Sequence, residues 1–280
     1  MHLLTNPQAA TGGVVTVAGG RQVHYVTYGN GPTPLILMPG LGGEHGIYTW
    51  AGPIAKQLGL TVIVPWMPCH GPSCDVDTFS EAVIVMDQFR EQAGGPECLI
   101  IGHSYGGAVA TALGATGGRT VALAAPINPR FIGMSWLESQ TRLGWVFLDL
   151  LCGIGMGAVE SALRLDTHRY ASAVARTLLG GHRISLGIRV LRSMPDLTTH
   201  TRQAQDDGRA PLRLWGLADF GVQQPPWGML PGEDWYLPFV GHGDFALRLW
   251  YPYPFIRRAV EVQLGRADPV RIPLLTQTAA

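Results

Sequence analysis

A serine hydroxyl becomes a useful nucleophile only when a base takes its proton and a third group holds that base. This chain offers all three parts, in order, at the ends of apolar runs. Leu99-Ile100-Ile101 runs directly into Gly102-His103-Ser104-Tyr105-Gly106, and small, helix-compatible residues follow from Gly107 and Ala108 to Leu113. A Gly-X-Ser-X-Gly set between a buried strand and a helix marks a sharp turn that lifts the serine out of a sheet in a strained conformation. Gly102 and Gly106 stand where any side chain would collide across that turn. The Tyr105 N–H, at the start of the helix, is then free to face a developing oxyanion. Further along, the strand-like Leu212-Arg213-Leu214-Trp215 is followed by Gly216-Leu217-Ala218-Asp219. That spacing puts Asp219 in the loop at the strand's C-terminal end, on the same edge as Ser104. A further run, Trp235 to Val240, ends in Gly241-His242-Gly243 and places His242 in the next such loop.

The elements that must position these residues alternate along the first half of the chain. Val14 to Val17, a Gly19-Gly20 turn and Val23 to Tyr28 predict a β-hairpin. Leu35 to Met38 and Thr61 to Val64 are short continuous apolar runs, as strands buried on both faces of a parallel sheet require. A helix reaching Leu58 separates them. Thr78-Phe79-Ser80-Glu81 is a capping box that opens a helix ending at Gly94-Gly95. After the serine turn and its helix comes a strand over Val121 to Ala124, and such β–α alternation builds a parallel sheet. The rhythm breaks at Pro126. From Asn128 to Gly208 only helical signals occur: Val159, Leu163, Tyr170, Val174 and Leu178 fall near one face, and Ile184, Ile188 and Leu191 near another. The expected organisation is a core of residues 1–127 and 209–280 with a helical cap inserted over 128–208. Phe255 to Leu264 closes the core as a helix.

With these residues in place the chain resembles an α/β-hydrolase of the capped, serine-nucleophile, esterase- or lipase-like type. The order Ser104, Asp219, His242 matches that fold's Ser…Asp…His order. The resemblance implies a mostly parallel central sheet flanked by helices, with His242 as general base and then acid, and Asp219 fixing its tautomer. It also implies that a second oxyanion N–H comes from Leu41, in Met38-Pro39-Gly40-Leu41-Gly42-Gly43, beside that of Tyr105. The loop usually begins His-Gly, and here Pro39 stands for the histidine. A later loop that often reads Asp-X-X-Gly-His-Gly-X-Ser has Trp66 for the Asp and Cys69 for the first Gly, while His70, Gly71 and Ser73 remain. Serine rather than aspartate at the turn argues against the haloalkane dehalogenase and epoxide hydrolase branches.

Other residues compete for these roles. Asp244 is too near His242 in sequence to be an obvious partner, and Asp234 stands before its strand, at the wrong end. His103 reads as a packing or hydrogen-bonding residue, His70 as a stabiliser of its own loop and His45 as solvent-facing, with a place lining the site's entrance as its alternative. Gly40-Leu41-Gly42-Gly43 lacks the following Lys-Ser/Thr of a phosphate cradle.

Composition narrows the field further. The 280 residues are 46% apolar and 14% charged, with zero formal net charge. That excludes disorder and gives no electrostatic footprint for nucleic acid or an anionic membrane. Met1 to Thr16 lacks the basic and apolar regions of a signal peptide. Leu143 to Val159 is the most lipid-like stretch, but Asp149 and four glycines interrupt it, so a buried helical region is expected and no membrane span. Cys69, Cys74, Cys98 and Cys152 form neither a disulfide framework nor a zinc pattern, and a reduced, cytoplasmic setting follows. The spacing also admits a Cys69–Cys74 loop disulfide, although free thiols are the expectation.

The expected activity is hydrolysis of a small, largely apolar carboxylic ester through an acyl-Ser104 intermediate, with no metal or cofactor. A lactonase, thioesterase or C–C bond hydrolase can use the same triad, as can a natural-product cyclase or lyase. A non-catalytic ligand receptor is the alternative of a different class, although a receptor needs no His242. The apolar preference rests on Phe131, Trp136, Trp145, Phe147 and Tyr170 and the aliphatic set around Leu148, Leu150, Leu151 and Ile154, part of which is expected to roof the cleft above Ser104.

Overall fold

Short apolar runs separated by turn residues assemble into one eight-stranded sheet: β1 (Thr11–Val17), β2 (Arg21–Tyr28), β3 (Thr33–Met38), β4 (Leu60–Pro65), β5 (Leu99–His103), β6 (Arg119–Ala124), β7 (Leu212–Gly216) and β8 (Asp234–Leu237). The computed structural model describes residues 11–48, 50–115, 119–124, 136–163, 167–179, 183–206, 212–216, 219, 234–237, 240–248 and 253–266. The N-terminal ten residues, Pro126 and Asn128, Phe131, Leu217 and Ala218, and the stretch 220–233 lie outside them, as do the side chains of Trp136, Trp145, Phe147, Leu150 and Leu178.

The strand order is β1-β2-β4-β3-β5-β6-β7-β8. The β1–β2 hairpin turns through Gly19 and Gly20, both at positive φ (76° and 73°), and pairs Val17 with Arg21. Glycine adopts that backbone without steric cost. β2 runs antiparallel to both its neighbours, and every pair from β4 onward is parallel. β8 is described over Asp234–Leu237, and residues 238–239 of the expected run to Val240 lie outside the described residues.

Alternation along the central strands feeds two cores. Leu35 and Leu37 of β3, with Val62, Val64, Leu99 and Ile101, pack against α1 (Ala51–Leu58) and α9 (Tyr253–Gln263). Ile36, Met38, Ile63 and Ile100 pack on the other face against α2 (Phe79–Ala93) and α3 (Tyr105–Ala115). Both faces being covered is why these strands read as continuous apolar runs. α2 opens as its capping box predicts: Thr78 Oγ1 accepts from the Glu81 N–H at 3.2 Å. The Glu81 carboxylate accepts from the Asp77 N–H at 3.0 Å.

Because β3 lies between β4 and β5, the chain builds outward in opposite directions from it. The C-terminal ends of β3 and β5 therefore adjoin, with Met38 paired to Gly102. A sheet of this kind opens a crevice at such a switch point, and here it separates the Pro39–Gly43 loop from the serine turn.

Among the described residues, four helices lie between β6 and β7 in the chain: α4 (Trp136–Leu163), α5 (Thr167–Leu179), α6 (Ile184–Arg192) and α7 (Thr198–Asp206). α4 corrects the expected buried region. Its large apolar residues Leu148, Leu151, Met156, Val159 and Leu163 are between 46% and 67% exposed, while Gly153, Gly157, Glu160 and Ser161 face inward. The reason is close approach. A Cβ on Gly157 would lie 2.2 Å from the Tyr170 hydroxyl and 2.6 Å from the Leu247 carbonyl oxygen. Leu247 belongs to α8 (Asp244–Leu247). Only small residues fit along that seam, so the bulky ones turn outward. The expected stripe from Val159 to Leu178 is divided because α4 ends at Leu163 and α5 begins at Thr167; Tyr170 is buried and Val174 packs on the core.

Candidate active site

Ser104 sits at the junction of β5 and α3 with φ of +54°, in the left-handed region that non-glycine residues rarely adopt. The flanking glycines make the turn feasible. A Cβ on Gly102 would lie 2.4 Å from the Gly106 carbonyl oxygen, and one on Gly106 would lie 2.1 Å from that of Met38. The turn is tied down by the Gly106 N–H donating to the Pro39 carbonyl at 3.1 Å and the Ala108 N–H donating to that of Ser104 at 3.0 Å.

The loops after β7 and β8 bring the other two residues to it. The Asp219 N–H donates back to the Gly216 carbonyl at 3.1 Å, which closes the turn leaving β7. Asp219 Oδ2 lies 2.9 Å from His242 Nδ1, and His242 Nε2 lies 2.8 Å from Ser104 Oγ. The three side chains, separated by up to 138 positions in sequence, thus form one hydrogen-bonded line. All three residues are largely buried. Burial alone would lower the pKa of His242, but the Asp219 charge and hydrogen bond, joined by the charge of Asp149, raise it above the ordinary histidine value.

In the loop around Leu41 the neighbouring N–H groups are all engaged. Gly40 donates to the Tyr48 hydroxyl at 2.9 Å, Gly42 to His70 Nε2 at 2.7 Å, and Gly43 to the Gly40 carbonyl at 2.9 Å. The Leu41 N–H and the Tyr105 N–H have no acceptor among the described residues.

The competing residues fall elsewhere. Asp234 begins β8, opposite Arg213 at the far end of the strand pair. Asp244 accepts from the Gly241 N–H at 2.8 Å and pairs with Arg248 at 3.6 Å. His70 braces its loop, accepting from Gly42 and donating through Nδ1 to the Pro68 carbonyl at 2.8 Å. His45 is not the solvent-facing residue expected: its ring meets the Tyr28 hydroxyl at 2.9 Å, Glu44 at 3.0 Å and the edge of Trp66. Trp66, where the resemblance expects an aspartate, instead closes over Gly71. The four cysteines are free.

Two residues matter here whose roles sequence reasoning missed. Tyr48 bridges Gly40 to His103 Nδ1, which it meets at 3.0 Å, and His103 Nε2 donates to the His242 carbonyl at 3.0 Å. The direction of each proton follows: with Nε2 donating, Nδ1 must accept from the Tyr48 O–H. Asp149 of α4 accepts from the Gly243 N–H at 3.0 Å. The only hint in the sequence was a single charge in an otherwise apolar stretch. Among the described residues no group of three or more His, Cys, Asp or Glu is placed to hold a metal ion, and no helix is long and apolar enough to cross a membrane.

The sheet order and the serine turn define an α/β-hydrolase fold. Comparison with solved structures agrees. A carboxylesterase of the ammonia-oxidizing Thaumarchaeon Nitrososphaera gargenis superimposes with a TM-score of 0.64 at 14% identity, covering 91% of this chain and 100% of that one. The thioesterase domain of the curacin biosynthetic pathway gives 0.59 at 14%, covering 93% and 100%. The epoxide hydrolase CorEH gives 0.59 at 17%, covering 92% and 99%. No curated protein matches the sequence. The model of the alpha/beta hydrolase family matches residues 35–276, and the chain belongs to that family.

Proposed function

We propose that this α/β-hydrolase cleaves a small, largely apolar carboxylic ester through an acyl-enzyme on Ser104. The observation that carries the reading is the Asp219–His242–Ser104 line, at 2.9 and 2.8 Å, ending on a serine held at positive φ. His242 Nε2 takes the Ser104 proton as Oγ attacks the acyl carbon. The charge that develops on the carbonyl oxygen is received by the N–H groups of Leu41 and Tyr105. Collapse expels the alcohol, which leaves with the proton from His242. Water then attacks the acyl group by the reverse path, His242 again acting as base, and the acid is released. Asp219 keeps the Nδ1–H tautomer and stabilises the imidazolium.

In this reading α4–α7 form the cap. α6 supports it, since Ile184 Cδ1 would lie 3.2 Å from a Cβ on Gly42, and Leu41 Cδ1 only 2.5 Å from one on Gly187. The apolar side chains of Ile184 and Leu41 then flank the acyl or alcohol group. The outward face of α4 is not part of that wall.

Ester hydrolysis by Ser104→Ala should fall on the order of 10⁴- to 10⁶-fold with the fold intact. A fluorophosphonate probe should label Ser104 in the wild type. Asp219→Asn should lose roughly 10⁴-fold, while Asp234→Asn should be nearly silent. Labelling elsewhere, or undiminished activity of Ser104→Ala, would overturn the proposal.

A further inference from the structure

Two carboxylates grip the tripeptide Gly241-His242-Gly243. Asp244 holds the Gly241 N–H from the next turn of the same segment, at 2.8 Å. Asp149 reaches in from α4, about ninety residues earlier in the chain, and accepts from the Gly243 N–H through Oδ2 at 3.0 Å. Its Oδ1 occupies the space that Gly241 leaves open: a Cβ there would lie 1.6 Å from it. One side chain therefore straddles His242, seated on the glycine before it and bonded to the glycine after it. Both glycines of the motif are used, one for its missing side chain and one for its N–H.

The charge itself is notable. Asp149 is the lone charged residue between Leu143 and Val159. Asp244 has Arg248 as a counterion at 3.6 Å, and Arg248 is further held by Glu160 at 3.0 Å. The charges acting on Asp149 are those of Asp219, His242 and Asp244, two of them of its own sign. Burial pushes its carboxyl up to about 6; the Gly243 N–H pulls the other way, and Asp219 adds to the rise. An amide or an apolar side chain would be easier to bury there. What the carboxylate does that those would not is act on His242, whose pKa its charge helps to raise.

We propose that Asp149 is a positioning residue for His242: it fixes the backbone on both sides of the imidazole and ties the seating of α4 to the alignment of the base with Ser104. The inference rests on the Ser104–His242–Asp219 reading above. It makes α4 a working part of the site, so that His242 is fully aligned only with α4 in place.

The test uses the full chain and p-nitrophenyl acetate, with pH profiles of kcat/KM and thermal melts. Asp149→Asn keeps an oxygen to accept from Gly243 but removes the charge. Its acid limb should move to lower pH, because the anion that raises His242 is gone, and its melting temperature at neutral pH should not fall. Asp149→Ala removes both functions, and its kcat should drop at least about 10-fold as the loop is released. An acid limb in Asp149→Asn identical to the wild type's would overturn the inference, and would do so even were Asp149→Ala to fail to fold. A kcat for Asp149→Ala within about twofold of the wild type would overturn it equally. Ser104→Ala is assayed alongside. If that variant is as active as the wild type, the triad reading itself has failed; if it is inactive and the Asp149 variants are unchanged, only the role of Asp149 has failed.

Discussion

Replacing Tyr48 by phenylalanine removes one oxygen atom from the middle of a buried hydrogen-bond chain. The ring still fills its place beside Trp50 and His103, so no cavity of consequence forms. Two groups lose their partner: the Gly40 N–H, which donates to the hydroxyl at 2.9 Å, and His103 Nδ1, which accepts from it at 3.0 Å. Leaving a buried polar group unpaired costs about 1–3 kcal/mol, so losing both partners should cost about 2–6 kcal/mol, a large share of the stability of a typical domain. For a chain of this length, at about 2 °C per kcal/mol, that corresponds to a fall in melting temperature of about 4–12 °C. Urea denaturation should show a lower midpoint with an unchanged slope. Gly40 also adjoins Leu41, whose N–H is proposed to bind the oxyanion, so kcat should fall about 10-fold with little change in KM. A Tyr48→Phe variant within about 0.5 kcal/mol of the wild type would refute the reasoning, since it would mean that neither group depends on the hydroxyl.

Burial, reinforced by the neighbouring His242 charge, lowers His103 to about 3 from 6.5. Between those values the unfolded chain binds a proton that the native state refuses, so stability is lost as pH falls through that window, at up to about 1.4 kcal/mol per pH unit; denaturant midpoints for His103→Gln should show a shallower acid dependence, and equal slopes would contradict the assignment. In the series of p-nitrophenyl esters from acetate to octanoate, each methylene buried beside Ile184 and Leu41 should add about 0.8 kcal/mol, or roughly fourfold in kcat/KM, until the pocket is full. A flat series, or preference for a succinate half-ester, would show that these apolar residues do not face the substrate.

What was legible in the sequence was local. β3, β4 and β5 announce themselves because a strand covered on both faces needs an unbroken apolar run, and Leu35–Met38, Thr61–Val64 and Leu99–Ile101 are such runs. The turn at Ser104 is equally local, its two glycines lying within two residues of the serine. Asp219 and His242 were legible by their place after strands. The outward face of α4 was not legible. Periodicity says that a helix has an apolar face but not which way the face turns; that was decided by how closely α4 approaches α8 and Tyr170, where Gly153 and Gly157 fit and leucine does not. Tyr48 and Asp149 stayed hidden because their partners lie 55 and 94 positions away. His45 was misplaced for the same reason, since Tyr28 and Trp66 converge on it only in the fold.

A site assembled from four loops faces a mechanical problem. Leu41 follows β3, Ser104 follows β5, Asp219 follows β7 and His242 follows β8, and the sheet fixes where each loop begins but not where its tip comes to rest. Hydrogen bonds that run between the tips, not along the strands, supply the missing constraint. Gly40, Tyr48, His103 and the His242 carbonyl form one continuous path from the Leu41 loop, through the serine turn, to the histidine loop. His70 adds a second anchor on Gly42, and Asp149 a third on Gly243. Each of these bonds ends on backbone or on a neutral ring, so none competes with Ser104, Asp219 or the Nε2 of His242 for the reacting protons. Precise placement is worth orders of magnitude in rate, so their loss should be felt in kcat as well as in the folding free energy.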